Sequence, residues 1–175
     1  NYLTGFDAWS FYVPQLVILI LEEEEPIWVG RGMDASAAKI TTWLAHDHII
    51  PYPDNYVQST ERHPMDFVAQ LLIDKGQGAK IIAAEFDAYY FTAKNYLQLL
   101  KFLPNATFVD GTSLVNWIRI IKSDKEMLLI KRAANIVTKA MNVGIERIQA
   151  GVRECDVVAD IYHAQISGTE DYGGD

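Results

Sequence analysis

The stretch "QLVILILEEEEPIWVG", residues 15–30, constrains this chain more than any other. Its apolar run has strand length and no polar alternation. Such a run belongs in the middle of a sheet, buried on both faces. Four glutamates and Pro26 follow. Like charges and a residue without an amide proton end the strand and turn the chain. "IWVG" then reads as the returning strand of a hairpin.

Downstream, strand-like and helix-like stretches alternate. "DASAAKITTWLAHD" predicts a helix capped by Asp34 or Ser36, with Ala37, Ile40, Trp43 and Leu44 on one face. "HIIPYP" predicts a short strand stopped by Pro51 and Pro53. "HPMDFVAQLLIDKG" predicts a helix with Pro64 in its first turn and Gly76 at its end. "AKIIAAEFD" and "ATFVDG" read as strands around the helical "AYYFTAKNYLQLLKFLP". Alternating elements of this kind predict an α/β fold: a mixed or parallel sheet flanked by helices.

The texture changes near Ser113. From there to Gly151 the pattern is one long helix behind a short lead-in. Ser123 and Glu126 have capping-box spacing. Met127, Ile130, Ala134, Val137, Met141 and Ile148 recur at helical intervals, and Gly151 is placed to end the helix. "RECDVVADIYHAQI" predicts another helix, and "SGTEDYGGD" a Gly-rich loop. We expect an α/β domain over residues 1–116 and the first helices of a second, truncated domain over 117–175. Helix 123–150 made alone would expose an apolar face and associate.

Composition excludes several classes. The net charge of −8 disfavours nucleic acid and anionic membranes as partners. The single cysteine, Cys155, forbids an internal disulfide and reads as a small structural residue. No signal peptide is recognised. The longest apolar run, residues 13–21, is interrupted by Pro14 and Gln15 and is too short for a bilayer. A cytoplasmic protein is expected.

No complete catalytic set stands out. His46 and His48 flank Asp47 and would share a face on a strand, but no third metal ligand is evident. They read as surface histidines at a helix end. His63 precedes Pro64 as a cap. His163 follows Asp160 and Asp156 at helical spacing, common on wet faces. Glu85 and Asp87 lie just beyond a strand, where α/β sheets present polar groups, and read as a solvated side chain and a helix cap. "GRGMD", residues 30–34, precedes a helix but lacks the spacing of a phosphate loop, leaving Arg31 for an ion pair or a partner. "GTEDYGGD" reads as a flexible turn or a ligand loop. The most unusual stretch is "DAWSFY", whose aromatics beside polar groups suit either core packing or a wall against a ligand or another chain.

Several stretches together resemble the creatinase / Xaa-Pro peptidase, or pita-bread, superfamily. "NWIRIIKSDKEMLLIKRAANIVTKAM" is similar to that family's linker into its catalytic domain, and "IQAGVRECDVVADIY" to the helix start that follows. Within the superfamily, "NYLTGFDAWSFYVPQ", "GRGMDASAA", "PYPDNYVQSTERHPMD" and "GTEDYGGD" most resemble the ectoine hydrolases. The resemblance implies a creatinase-like, ribonuclease H-like N-terminal domain followed by the start of a pita-bread domain. It makes the chain an interior fragment whose catalytic residues would all follow Asp175, so no catalytic or metal-binding residue and no cofactor is assigned here. It implies a homodimer in which the N-terminal domain of one subunit overhangs the active site of the other. On that basis Trp9, Phe11 and Tyr12 are the candidate substrate-binding wall. The implied reaction opens the cyclic amidine of ectoine, or a similar small molecule, to N-acetyl-diaminobutyrate. The competing readings are a metal-dependent Xaa-Pro dipeptidase or aminopeptidase, and a non-catalytic fragment that only dimerises.

Overall fold

The structure is a computed structural model that describes residues 1–10 and 12–174. The chain divides into two compact units, Asn1–Ser113 and Leu114–Asp175. No described helix is long and apolar enough to cross a membrane.

In the first unit, strand β1 (Leu16–Ile18) turns through the glutamate run into β2 (Ile27–Arg31), and the two pair antiparallel as a hairpin. Strand β3 (Ile49–Tyr52) joins the other side of β2 in parallel, after helix α1 (Asp34–Thr41) and a 3-10 turn at His46–His48. Helix α2 (Pro64–Asp74) follows a second 3-10 turn at Asp54–Tyr56. Strands β4 (Ile81–Ala84) and β5 (Thr107–Asp110) form a separate parallel pair, connected through helix α3 (Ala93–Phe102).

The hairpin is thus a mixed three-stranded sheet with helices on both faces. Ile27 and Val29 face one way, into a core made with Tyr52, Met65, Val68, Ala69, Leu72, Leu99 and Leu103 from β3, α2, α3 and its end. Trp28 faces the other way, against Phe6, Ala35, Ala38, Leu44 and Ile49. Burial on both faces is why "IWVG" carries no polar residue. Each fully buried branched side chain here contributes about 1.5–3 kcal/mol relative to an exposed one.

Several sequence expectations shift. The apolar run gives only a three-residue, half-buried edge strand, β1, with Leu19 and Leu21 exposed. The central strand buried on both faces is β2. Helix α1 stops at Thr41, and its buried face is Ala35 and Ala38, with Ile40 and Trp43 exposed. The hydroxyls of Thr41 and Thr42 donate to the carbonyls of Ala37 and Ala38, and Thr42 leaves in extended conformation. Neither Asp34 nor Ser36 caps the helix, since it begins at Asp34 itself and the N-cap position, Met33, makes no side-chain cap. Pro51 lies inside β3 rather than ending it. β3 is an edge strand, where a missing amide proton is tolerated. Helix α3 begins only at Ala93, where Thr92 accepts the Asn95 amide at 3.3 Å, so residues 88–91 form a turn.

In the second unit, helix α4 (Leu114–Ile120) precedes the long α5 (Asp124–Arg147). The Ser123–Glu126 capping box is formed: the Ser123 amide donates to Glu126 at 2.7 Å, and the Glu126 amide donates to Ser123 Oγ at 3.3 Å. Helix α6 (Glu154–Ser167) packs on α5. The seam between them is narrower than the apolar stripe predicts. It runs through Ala140, Gly144, Ile161 and Ala164, whereas Met127, Ile130, Val137, Met141 and Ile148 are exposed. A Cβ built on Gly144 would stand 2.9 Å from Ile161 Cδ1, so a side chain there would require the end of Ile161 to shift.

The close fit around Trp28 is testable. A Cβ on Gly30 would lie 2.5 Å from Cη2 and 2.6 Å from Cζ2 of the buried indole, and 2.9 Å from Gln15 Cγ. Gly30→Ala is expected to lower stability by about 1–3 kcal/mol, the usual cost of overpacking, in chemical denaturation. An unchanged midpoint would show that the indole does not lie over Gly30.

His63 supplies a second test. It caps α2 by accepting the Met65 amide through Nδ1 at 3.2 Å, while Asp66 accepts the His63 amide at 2.9 Å. An accepting Nδ1 belongs to the neutral ring. Burial is the largest influence and lowers the His63 pKa; the Asp66 carboxylate opposes it and Lys94 adds to it. The folded value therefore lies below the ordinary 6.5, and the unfolded chain takes up the proton first as pH falls. Stability from this cap is present above 6.5 and is lost as pH drops through the folded value. His63→Asn keeps a capping acceptor that does not titrate. The variant's melting temperature should fall less than the parent's between about pH 7.5 and about pH 5; parallel curves would refute the neutral cap.

Candidate functional site

In α/β sheets, ligand sites gather at the carboxyl ends of parallel strands. Here β2 ends in Arg31 and β3 ends in Tyr52. Arg31 Nε donates to Asp54 Oδ1 at 2.8 Å, just beyond β3. The bond to Asp54 is the main reason the guanidinium pKa is raised, with Tyr12 and Asp34 adding to it. Asp54 is held below the usual carboxylate range by the same bond. Asp34, in the first turn of α1, accepts from Gln15 Nε2 at 3.3 Å.

The segment before β1 runs past this group without regular structure. Phe6 anchors its start in the core against Trp28, and two tyrosine hydroxyls hold the stretch that follows. The ring of Tyr52 is fully buried, and its hydroxyl donates to the Pro14 carbonyl at 2.6 Å. Burial, and after it the Asp34 carboxylate, push the Tyr52 pKa up, so the hydroxyl stays a donor. At the far end, Trp9 Nε1 donates to Tyr90 Oη at 3.0 Å. Between these points Trp9 is 75% exposed and Tyr12 62% exposed, so neither ring is spent on the core. Phe11 lies outside the described residues. The aromatic surface continues through Tyr90 to Tyr89, whose rings meet edge-on at 5.0 Å.

The other candidates are held in structural roles. His48 Nδ1 is 3.2 Å from the Pro26 carbonyl, in a shallow cavity of about 270 Å³ lined by Glu23, Glu24, Glu25 and Lys75. There Lys75 Nζ pairs with Glu23 at 2.8 Å and Glu25 accepts the Ala45 amide at 3.0 Å. The acidic run is thereby folded back as the hairpin's own turn. Asp87 does not cap a helix; its amide donates to Thr112 Oγ1 at 3.2 Å, and Thr112 donates its own amide to Asp110 at 2.8 Å. In the second unit Asp160 pairs with Arg147, and Asp156 takes Arg153 through two bonds of 2.7 and 2.8 Å, so neither carboxylate is assigned to His163. The loop at 168–174 is pinned to α5: Lys139 Nζ donates to Gly168 O at 2.6 Å, and Asn135 Nδ2 to Tyr172 Oη at 3.0 Å. Among the described residues no group of three or more His, Cys, Asp or Glu side chains could hold a metal ion.

The arrangement offers a cation, Arg31, whose charge feels the exposed Tyr12, and an exposed indole on the same segment, which is equipment for recognition rather than for bond breaking. Sequence reading singled out Trp9 and Tyr12, which are exposed, and passed over Tyr52, Asp54 and Tyr90. Arg31 it left for an ion pair or a partner, and the ion pair is the one observed. The signal for Tyr90 was the Thr92 cap, which moves "AYY" out of the helix.

Known proteins share this chain's pattern. The family model for the creatinase/prolidase N-terminal domain matches residues 1–121. Over 174 residues, the chain is 48% identical to an uncharacterized hydrolase/peptidase of Sinorhizobium fredii, covering 99% of this chain and 44% of that protein. Over 168 residues it is 46% identical to the ectoine hydrolase of Halomonas elongata, covering 95% and 42%. Among solved structures, the X-Pro aminopeptidase of Thermotoga maritima matches with a TM-score of 0.67 at 19% identity, over 93% of this chain and 41% of that one. The Xaa-Pro dipeptidase of Bacillus anthracis matches with 0.65 at 20%, over 93% and 40%. These two likenesses speak for the fold. The chain spans less than half the length of the curated relatives it matches.

The Arg31–Asp54 pair is directly measurable. In an NMR pH titration the Asp54 carboxyl is expected to titrate below the ordinary carboxylate value and to move up in Arg31→Met. A carboxyl indifferent to the substitution would mean that the pair does not form.

Proposed function

The chain belongs to the creatinase/prolidase N-terminal domain family, and on that premise we propose that it is the recognition part of a hydrolase acting on ectoine. The observation that carries the substrate is the 46% identity with the Halomonas elongata enzyme over nearly the whole chain. The geometry is compatible with it. Ectoine is a zwitterion with a delocalised amidinium and a carboxylate. An amidinium over an exposed indole or phenol face gains about 0.5–2 kcal/mol. The Arg31 guanidinium carries five N–H donors in a planar fork, one of them used on Asp54, and suits a carboxylate.

In this reading Trp9 and Tyr12, with Phe11 by its place in the sequence, form the aromatic wall, and Arg31 orients the anionic end. The assembly proposed is a homodimer, in which one subunit's first unit serves the partner's active site. Water attack on the amidine carbon would be assisted by a carboxylate and a histidine outside this chain.

The full-length enzyme should open ectoine to N-acetyl-diaminobutyrate and leave Xaa-Pro dipeptides untouched. Trp9→Ala should raise KM for ectoine about two- to thirtyfold, the range a cation–aromatic contact spans. Turnover of Xaa-Pro substrates in place of ectoine would transfer the reading to the peptidases. Full activity of Trp9→Ala on ectoine would remove the aromatic wall.

A further inference from the structure

We infer that Tyr90 is a positioning residue for substrate recognition: its hydroxyl holds the exposed Trp9 indole in one orientation, and helix α3 holds Tyr90. This rests on the reading of Trp9 as part of the substrate wall.

Consider what fixes Trp9. Its segment belongs to no helix or strand, and its side chain is 75% exposed. A ring in that position samples several rotamers unless something holds it, and a binding surface that must first be ordered binds less tightly. The Nε1–H of Trp9 meets Tyr90 Oη at 3.0 Å, across 81 positions of sequence. That distance is a normal hydrogen bond, and indole has no other donor to offer. The bond therefore selects which face of the indole is presented.

Tyr90 itself is firmly mounted. Its carbonyl accepts Asn95 Nδ2 at 3.1 Å, and Asn95 is a buried polar residue in the first turn of α3. Consecutive turns, Ala88 N to Glu85 O at 3.1 Å and Phe91 N to Ala88 O at 2.9 Å, shape the loop between β4 and α3. Phe86 packs on Tyr96 of α3 with ring centroids 5.0 Å apart and on Phe91 at 6.1 Å. The Tyr89 ring stands edge-on to Tyr90 at 5.0 Å. The hydroxyl that receives Trp9 thus sits on a loop locked to a helix, and a buried asparagine has its amide committed to that loop. At the segment's other end the Tyr52–Pro14 bond fixes the entry to β1. Trp9 and Tyr12 are carried on a strap held at both ends.

The test uses the full-length enzyme labelled with fluorotryptophan, with the Trp9 resonance assigned by its loss in Trp9→Phe. Tyr90→Phe keeps the ring and removes the acceptor. It is expected to displace or broaden the Trp9 fluorine signal and to raise KM for ectoine about two- to tenfold with kcat within about twofold, the effect of ordering one side chain on binding. Tyr162→Phe, on helix α6 and outside the aromatic surface, should move neither. An unmoved Trp9 signal in Tyr90→Phe overturns the tether. A moved signal with unchanged KM, when Trp9→Ala itself raises KM, overturns the positioning role while the wall stands. If Trp9→Ala leaves the kinetics intact, the wall reading fails, and a moved signal then reports a structural contact without bearing on substrate.

Discussion

The first unit depends on burying one strand from both sides. β2 places Ile27 and Val29 against α2 and α3, and Trp28 against Phe6 and the alanines of α1. Water is excluded from both faces, so the hydrogen bonds of β1 and β3 to β2 have no competitor and the register is fixed. The large indole on one side explains two small features around it. Helix α1 must approach through alanines, and Gly30, two residues on and on the same face, has no room for a side chain. The parallel β3 is the consequence of carrying α1 across that face.

The candidate site is set by the same strand. Where β2 leaves the core, its next side chain is Arg31, delivered to the surface at the strand's carboxyl end. Tyr52 ends the neighbouring strand in the paired register position and serves two purposes. Its ring completes the core, and its hydroxyl, kept protonated by burial, reaches out to the Pro14 carbonyl. Core and site are joined through that one side chain. The aromatic segment needs no regular structure of its own because tyrosine hydroxyls bound to the two layers hold it.

How much of this was legible in the sequence depended on range. The hairpin was readable from apolar run, charge run and proline, and the caps at His63 and Ser123 from residue types three apart. These are local rules. The apolar stripe of α5 misled, because periodicity says which residues share a face and not which face finds a partner; the partner seam chose the smallest residues, Ala140 and Gly144. Ile40 and Trp43 misled for related reasons: Ile40 lies within α1 but off its buried face of Ala35 and Ala38, and Trp43 lies beyond the helix end at Thr41. The contacts that build the site were invisible. Arg31 with Asp54, Tyr52 with Pro14 and Trp9 with Tyr90 span 23, 38 and 81 residues, and no single-sequence pattern encodes such pairs. The unusual chemistry of "DAWSFY" could be noticed, but not what holds it.

The site's composition also limits what it can contribute to a reaction. A guanidinium and neutral aromatic rings bind charge and surface; they neither move protons near neutral pH nor attack a carbon. Groups of that kind interact with a substrate about equally in its ground state and its transition state unless the reacting centre changes charge beside them. Their removal then shows chiefly in KM, whereas removal of a proton-transfer group shows in kcat. For a cyclic amidine the distinction is sharp. The ring carries its positive charge in the ground state and loses it as water adds to the amidine carbon. An aromatic wall over the ring therefore favours the bound substrate more than the adduct. A wall that also served the chemistry would have to lie over a part of the molecule whose charge persists. In the proposed pose the carboxylate end, set against Arg31, would be such a part, and binding energy there would be retained through the reaction. On the proposed reading, then, the first unit would select and orient a small zwitterion, with Arg31 at the anionic end supplying the anchor and the rings supplying the fit.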